Sequence, residues 1–411
     1  MSKELIGMNR TYKSIFNHNL GAWQAVPETA RTRSKGQRCA TRRARRPSVG
    51  HPLRRRLLVA SSVLALTFLI SAPVVLADPT VIPEDQEIFG EDGEENSLDH
   101  ADDGGTAYEF SGDALVNDGT IFGGKGGDSN WGDGGRGGDG VDFAGNDFVN
   151  HGTIFGGNGG NGGWGYGGRG GDGVDFTGND FVNHGTIFGG GGGDSGRQDG
   201  GRGGDGVYFT GDVFVNHGTV AGGDGKESPQ ADGGDGGTAV IFSGNALTNE
   251  GDIAGGDGGD STRELTAAGN GGSGLIVTND GAHVDNAGSI SGATGGELAW
   301  GRWRRWHRGD LLRQCARQRG RHCRRGGGDN SRGPAGSGGS GLVVTNDGAH
   351  VDNAGSISGG DGGENSRGDG GDGGTAVIFS GNALTNEGNI VGGTAAIAHG
   401  RSPAAVDPAS S

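Results

Sequence analysis

The sequence predicts an all-β protein, a right-handed parallel β-helix (β-solenoid) of about nine Gly-rich repeats of about 33 residues each. An Asn-x-Gly-x-(Ile/Val) element returns every 33 residues between Asn117 and Asn249. Apolar residues alternate with others inside a repeat, as in Val174-Asp175-Phe176, which is the pattern of a half-buried strand. Glycine accounts for 98 of 411 residues and only 31% of residues are hydrophobic, so single repeats must stack to bury a core.

The repeated asparagine predicts a ladder of side-chain amides along the rod, each bonding the amide of the next coil. Asn-x-Gly is also typical of turns, because glycine tolerates positive φ. Between the strands lie glycine-rich segments such as residues 123–140, which we expect to be flexible, solvated insertions on one side of the rod. The ladder asparagines are Asn117, Asn150, Asn183, Asn216, Asn249, Asn286, Asn353 and Asn386.

The N-terminal segment is predicted to be an export signal. Residues 1–56 form an extended, basic n-region, and residues 57–77 form the apolar h-region with its cleavage site. Val75 and Ala77 are small enough for signal peptidase, which predicts cleavage between Ala77 and Asp78. The apolar run is shorter than the roughly 20 residues that a membrane-spanning helix needs.

The stretch MNRTYKSIFNHNLGAWQAV, beginning at Met8, resembles the extended signal peptide region of type V secretion proteins of Gram-negative bacteria. This class contains autotransporters and two-partner exoproteins. The resemblance implies export, with the secretion machinery as partner of the leader and the body at the cell surface or outside the cell. The matching residues are Asn9, Arg10, Tyr12, Lys13, Phe16, Asn17, Leu20, Gly21, Trp23 and Val26.

The rest of the organisation favours an autotransporter passenger. A two-partner exoprotein carries its secretion domain directly after the signal, whereas residues 78–104 here are interpreted as a short acidic linker. The repeats occupy residues 105–393, and residues 394–411 are expected to be a disordered tail. Because no alternating strands of a translocator barrel follow, we expect a truncated passenger that is not self-exporting, periplasmic if the barrel is missing, with an open last coil.

Charge and cysteine content restrict the partners. The net charge is −16, but the body without the leader and residues 298–325 carries about −37. We expect such a body to repel nucleic acid and anionic lipid. We expect no cofactor and no integral membrane segment in the mature chain, with weak calcium association of acidic loops left open. Cys39 lies in the leader, and Cys315 and Cys323 lie in the segment discussed next, so the intended exported chain has no disulfide framework.

Residues 298–325 have a basic, Trp-containing composition that is foreign to the repeats. Read one nucleotide out of register, this segment yields NSRGDGGDGGTAVIFSGNALDNEGDIAGG, which differs from residues 365–393 at three positions. At one of them the codon choice at Cys323 allows valine instead of alanine, so only two positions must differ. We interpret it as a frameshifted repeat, arising in the genome or in sequencing. As translated, it should replace one coil with a segment that does not stack.

Four motifs have competing interpretations. GDSG at residues 193–196 resembles the nucleophile loop of trypsin-like proteases, but the same position holds GGDSN and GGDST in other repeats, so we predict no catalytic Ser195. His151, His184 and His217 share one repeat position, which favours a solvated turn over a metal site. GGDGVDFTG resembles a calcium-binding nonapeptide with Asp172 and Asp175 as ligands, but recurs every 33 residues rather than every nine. RGD triplets at residues 308–310 and 367–369 are expected by chance.

The sequence therefore predicts a non-enzymatic, exported, adhesin-like passenger whose host-surface ligand is not specified. The alternatives are a passenger serine protease that uses residues 193–196, or the remnant of a degraded autotransporter gene.

Overall fold

The computed structural model describes residues 12–17, 22–27, 79–263, 266–298, 333–365 and 369–396. The chain divides into two units, residues 1–71 and 72–411. In the first unit, β1 (Tyr12–Asn17) and β2 (Ala22–Pro27) pair antiparallel, with Asn17 opposite Ala22. The predicted h-region and the cleavage site at Ala77 and Asp78 lie outside the described residues. The described part of the chain contains no helix with the length and hydrophobicity that a membrane span requires.

The second unit is a solenoid of short parallel strands, which confirms the predicted fold class. Its strands are β3 (Thr80–Ile82), β4 (Glu87–Phe89), β5 (Tyr108–Phe110), β6 (Ala114–Asn117), β7 (Thr120–Phe122), β8 (Val141–Ala144), β9 (Asp147–Asn150), β10 (Thr153–Phe155), β11 (Val174–Thr177), β12 (Asp180–Asn183), β13 (Thr186–Phe188), β14 (Val207–Thr210), β15 (Val213–Asn216), β16 (Thr219–Ala221), β17 (Val240–Phe242), β18 (Ala246–Asn249), β19 (Asp252–Ala254), β20 (Leu275–Val277), β21 (His283–Asn286), β22 (Ser289–Ser291), β23 (Leu342–Val344), β24 (His350–Asn353), β25 (Ser356–Ser358), β26 (Val377–Phe379), β27 (Ala383–Asn386) and β28 (Asn389–Val391).

Each coil contributes one strand to each of three sheets. The first sheet runs from β3 to β27 and the second from β4 to β28, with nine strands each, and the third runs from β5 to β26 with eight. Equivalent residues of successive repeats pair in parallel, as Phe176 does with Phe209. The described chain therefore forms eight complete coils and two strands of a ninth.

The core is a set of stacked columns of identical or similar side chains. Val174 and Phe176 are fully buried while Asp175 between them is half-exposed, as the alternation predicts. The ring centroids of Phe143, Phe176 and Phe209 follow one another at 4.9 Å. Phe148 and Phe181 form a second column with a spacing of 4.8 Å. Such stacks add about 0.5–1.5 kcal/mol per pair beyond the burial of apolar area, so each coil is stabilised by its neighbours.

The interpretation of residues 78–104 as an acidic linker is wrong, because the solenoid begins at Thr80. β3 pairs with β6, and β4 pairs with β7. Ile82 occupies the ladder position beneath Asn117 and is only 2% exposed. Because an apolar side chain fills this position, the first coil has no buried side-chain amide that would lack a partner. The Asn-x-Gly element that marks the other coils is therefore absent from the first coil.

The prediction of flexible glycine-rich insertions is also wrong. Each coil extends an ordered glycine arm, an outgoing and a returning segment such as residues 123–128 and 133–139. The Gly138 amide donates to the Gly124 carbonyl at 2.8 Å, and the Gly157 amide of the next coil donates to Gly138 at 2.7 Å. A Cβ on Gly157 would overlap the Gly124 carbonyl oxygen. Only glycine allows this approach, so the arms stack as closely as the strands do.

A three-residue period explains the arms. In Gly-Gly-X triplets, one glycine bonds the same segment of the next coil and the second bonds the opposite segment, as Gly126 and Gly127 do. The side chain of X is exposed at Lys125 and buried at Asp205. Three residues per turn is the period of a polyproline II helix, whose backbone bonds only to neighbours. Where X is Asp, its carboxylate accepts the outward amide of the next coil: Asp205 N–H bonds Asp172 Oδ1 and Thr238 N–H bonds Asp205 Oδ1, both at 2.7 Å.

The coils on either side of the segment interpreted as frameshifted pair directly with each other; residues 299–332 lie outside the described residues. Asn286 and Asn353 are 67 residues apart, about two repeats, yet their amides bond at 2.7 Å. The arm of this coil leaves along residues 292–298 and returns along 333–341, where the Gly339 amide donates to the Ala293 carbonyl at 2.7 Å. One coil therefore occupies the sequence length of two. The sequence predicted nine coils by counting the frameshifted segment as one of them. The first sheet also has nine strands, but these include β3, and none lies between β21 and β24.

Candidate binding surface at the arm tips

The ladder asparagines have a structural role. Their side chains form a continuous chain in which each Nδ2 donates to the next Oδ1 at 2.6–2.8 Å, from Asn117 to Asn386. Seven of the eight are at most 2% exposed, and Asn386 in the last rung is exposed. An unpaired buried amide group is costly, so the ladder fixes the register of the coils.

Ser195 turns the chain at the end of an arm. Its hydroxyl donates to the Gly165 carbonyl at 2.7 Å and accepts the Gln198 amide at 2.9 Å. It is 2% exposed. Ser129, Ser228 and Ser261 make the equivalent contact to the preceding coil. The Ser of GDSG is thus one of a series of turn residues.

The three stacked histidines lie on the surface in parallel planes. Ring centroids are 4.9 Å apart for His151 and His184 and 4.8 Å apart for His184 and His217. Burial, followed by the charges of His217 and His151, lowers the pKa of His184. His217 Nδ1 lies 2.9 Å from Glu250 Oε2, so this end of the stack is paired with a carboxylate.

The residues of the calcium-like motif do not converge on one point. Asp172 lies in an arm, where its carboxylate contacts Arg169 Nη2 at 2.9 Å. Burial raises the pKa of Asp172 to about 6, against the opposing effect of Arg169. Asp175 lies on β11, where burial and then the charge of Asp142 raise its pKa. The first RGD triplet lies outside the described residues, and of the second only Asp369 is described.

The arm tips carry a surface that the sequence reasoning missed. Two residues after each turn position, one side chain per coil projects from the tip, and we call this column the tip stripe. It contains Leu98, Trp131, Trp164, Arg197, Gln230 and Arg263. The constant 33-residue spacing was the available signal, but the change of residue type from coil to coil conceals it.

The centre of the tip stripe is an exposed aromatic and cationic stack. Trp131 and Trp164 are 56% and 44% exposed, with ring centroids 4.7 Å apart. The Arg197 guanidinium carbon lies 3.3 Å from the centroid of the Trp164 ring, in a cation–π contact. Tyr166, 50% exposed, follows two residues after Trp164. Large aromatic side chains held rigidly at a surface are typical of binding hot spots.

The tip stripe carries positive charge on an acidic body. None of its six residues is acidic and two are arginines, on a body that carries about −37. Because the indole faces contact each other and Arg197, the two tryptophans present their ring edges to solvent, and these edges are the positive side of the ring quadrupole. Guanidinium groups bind anionic groups such as carboxylates through paired hydrogen bonds. The tip stripe is therefore suited to a ligand that carries negative charge.

Comparison with known proteins bears on the leader. Residues 8–65 match the family model described as the Extended Signal Peptide of Type V secretion system. Neither curated proteins nor solved structures give a match. The chain has the export signal and the solenoid body of an autotransporter passenger. This confirms the predicted class, and the passenger engages the secretion machinery through its leader.

Proposed function

We propose that this passenger is an adhesin-like interaction protein of the cell surface or extracellular space, which binds its ligand through the tip stripe. The observation that carries the proposal is the exposed stack of Trp131, Trp164 and Arg197 on rigid arms. In the described part of this acidic rod, the tip stripe combines exposed indole rings with guanidinium groups, and this combination supports it as the binding surface.

The proposed ligand class is an acidic glycan. The carboxylate or sulfate groups of such a glycan suit Arg197 and Arg263, and its ring C–H groups fit against the exposed edges of the two stacked indole rings. The test is binding of the purified chain to sulfated and sialylated oligosaccharides and to their neutral counterparts. The double variant W131A/W164A should bind the acidic glycans at least about tenfold more weakly, which corresponds to about 1.4 kcal/mol.

The matched control is Tyr208→Ala, which removes an aromatic side chain of 41% exposure from the third sheet. It should leave glycan binding unchanged. Equal binding by W131A/W164A and the parent chain, with circular dichroism unchanged, contradicts the assignment of the tip stripe as the binding surface.

Surface location has a separate test. In the native host, fractionation with protease treatment of intact cells should place the solenoid outside the cytoplasm. A product found only in the cytoplasm contradicts the proposal.

We favour a passenger without enzymatic activity over a serine protease. The support is the Ser195 hydroxyl, which is engaged with Gly165 and Gln198 within the turn. Casein hydrolysis that depends on Ser195, shown by its loss in Ser195→Ala, would overturn this preference.

A further inference from the structure

Two identical segments of the sequence stack directly on one another. NDGAHVDNAGSISG occupies residues 279–292 and again residues 346–359. Gly281 and Gly348 have positive φ angles of 75° and 91°, so each segment turns at its glycine before entering its strand in the first sheet. His283 pairs with His350, and Asp285 pairs with Asp352. Because Val284 and Val351 point into the core, the four polar side chains form a two-by-two grid on the outer face.

Three ligand atoms of this grid converge. His283 Nε2 lies 3.2 Å from Asp285 Oδ1 and 3.9 Å from Asp352 Oδ2, and the three atoms lie within 4.8 Å of one another. Their side chains are about half-exposed, so an ion in solvent has access to them. In the neighbouring coils, Ala246 and Ala383 occupy the position of His283 and do not cover it.

Charge favours a cation here. Carboxylates directly opposite each other on adjacent strands destabilise the pair. Asp285 and Asp352 stand in this relation, and His283 Nε2 lies within 4.0 Å of a carboxylate oxygen of each. A divalent ion between them would replace this repulsion with two favourable contacts.

We propose that His283, Asp285 and Asp352 form a surface site for a borderline divalent transition-metal ion, with Zn²⁺ as the representative. One imidazole nitrogen with two carboxylate oxygens is a donor set of zinc rather than calcium. Metal–ligand distances of about 2.0–2.1 Å in a tetrahedron place donor atoms about 3.3 Å apart. The separation of 3.2 Å fits this geometry. The separation of 3.9 Å must shorten by about 0.6 Å, and the two carboxylate oxygens, which lie within 4.8 Å of each other, must also approach to about 3.3 Å. Rotation of the half-exposed Asp352 side chain can supply both movements.

The test is calorimetric titration of the full-length chain with ZnCl₂. Other histidines and cysteines of the chain, including Cys315 and Cys323, are residue types that can compete for zinc. Parent and variants are therefore compared in a common C315S/C323S background. Substitution H283A or D352N should remove one equivalent of bound zinc, or weaken that equivalent at least tenfold.

Two controls identify the site. The double variant H151A/H184A, which removes two rings of the other histidine cluster, should retain the same equivalent. Circular dichroism of all variants should match that of the C315S/C323S background, because the side chains of His151, His184, His283 and Asp352 lie on the outer surface. If D352N and H283A bind the same number of zinc ions with the same affinity as the parent, the proposal is wrong. It is equally wrong if H151A/H184A alone loses the equivalent. The outcome is independent of glycan binding, since the W131A/W164A variant retains these three side chains.

Discussion

Substitution of two adjacent glycines of one arm, Gly190 and Gly191, tests whether the arm is ordered or flexible. A Cβ on Gly190 would overlap the Gly157 carbonyl oxygen and lie 2.6 Å from its carbonyl carbon. On Gly191, the nearest atom to a Cβ is Asn158 Oδ1 at 3.3 Å, followed by Lys226 Cε at 3.6 Å, both in movable side chains. Substitution of each by alanine therefore makes the same chemical change in two different environments.

The magnitudes follow from these contacts. Contact between carbon atoms is favourable at about 3.5–4.0 Å, so Gly190→Ala requires the coils to separate by about 1 Å. Such overpacking costs about 1–3 kcal/mol. The separation also weakens the bonds from Gly190 N–H to Gly171 O at 2.8 Å and from Gly204 N–H to Gly190 O at 2.7 Å. At about 0.5–1.5 kcal/mol for each bond, the total loss of stability is about 2–6 kcal/mol.

Gly191→Ala should instead be neutral or stabilising by about 0.4–1 kcal/mol, because alanine restricts the unfolded chain. The measurement is urea unfolding of both variants, followed by far-UV circular dichroism and by protease resistance. A solenoid can unfold in steps, so the first transition is compared. If the arms were flexible loops, both substitutions would stabilise the protein slightly. A similar, small shift in both variants would therefore refute the ordered arm.

Three further predictions concern the ladder, a buried carboxylate and the missing coil. Asn183→Leu should lower the free energy of unfolding in urea by about 2–4 kcal/mol, since it leaves two buried amide groups without their ladder partners. The control Asn386→Leu, in the exposed last rung, should lower it by about 1 kcal/mol or less. Equal losses would refute a buried ladder. The native pKa of Asp172, about 6, is above its ordinary value of 3.8, so its contribution to stability is present below pH 3.8 and is lost as the pH rises through 6. Asp172→Asn should therefore stabilise the chain by about 1–3 kcal/mol at pH 8 and by less at pH 5, and the same effect at both pH values would contradict the shift. Restoring the reading frame across residues 298–325 should add one coil and lengthen the rod by about 4.8 Å in small-angle scattering, while an unchanged length would contradict the frameshift.

The strands were predictable because the residue types within each repeat show which positions of a strand are buried. Alternation at Val174 and Phe176 and the recurring Asn183 position together specify which side chains point inward. The start of the solenoid was hidden because Ile82 replaces the marker asparagine. The arms were misjudged because a high glycine content is usually associated with flexibility. Their Gly-Gly-X period held the contrary information, since two packed positions out of three leave no room for a Cβ.

Sites that form between coils depend on which coils are neighbours, and that information is absent from any single repeat. The tip stripe combines one residue from each of six coils, so Trp164 and Arg197 meet only because the arms stack in register. The His283 grid similarly requires that β21 lie beside β24.

Loss of a coil is tolerated for a related reason. Each coil contacts only its two neighbours, so a stack can omit one repeat if the new neighbours present matching side chains. Leu275 then meets Leu342, and Ile290 meets Ile357, in the same columns that other coils use. The core and the ladder therefore close without a defect, whereas the outer face gains new juxtapositions such as His283 with Asp352. A change in repeat number thus alters the surface chemistry of the rod while its interior stays the same.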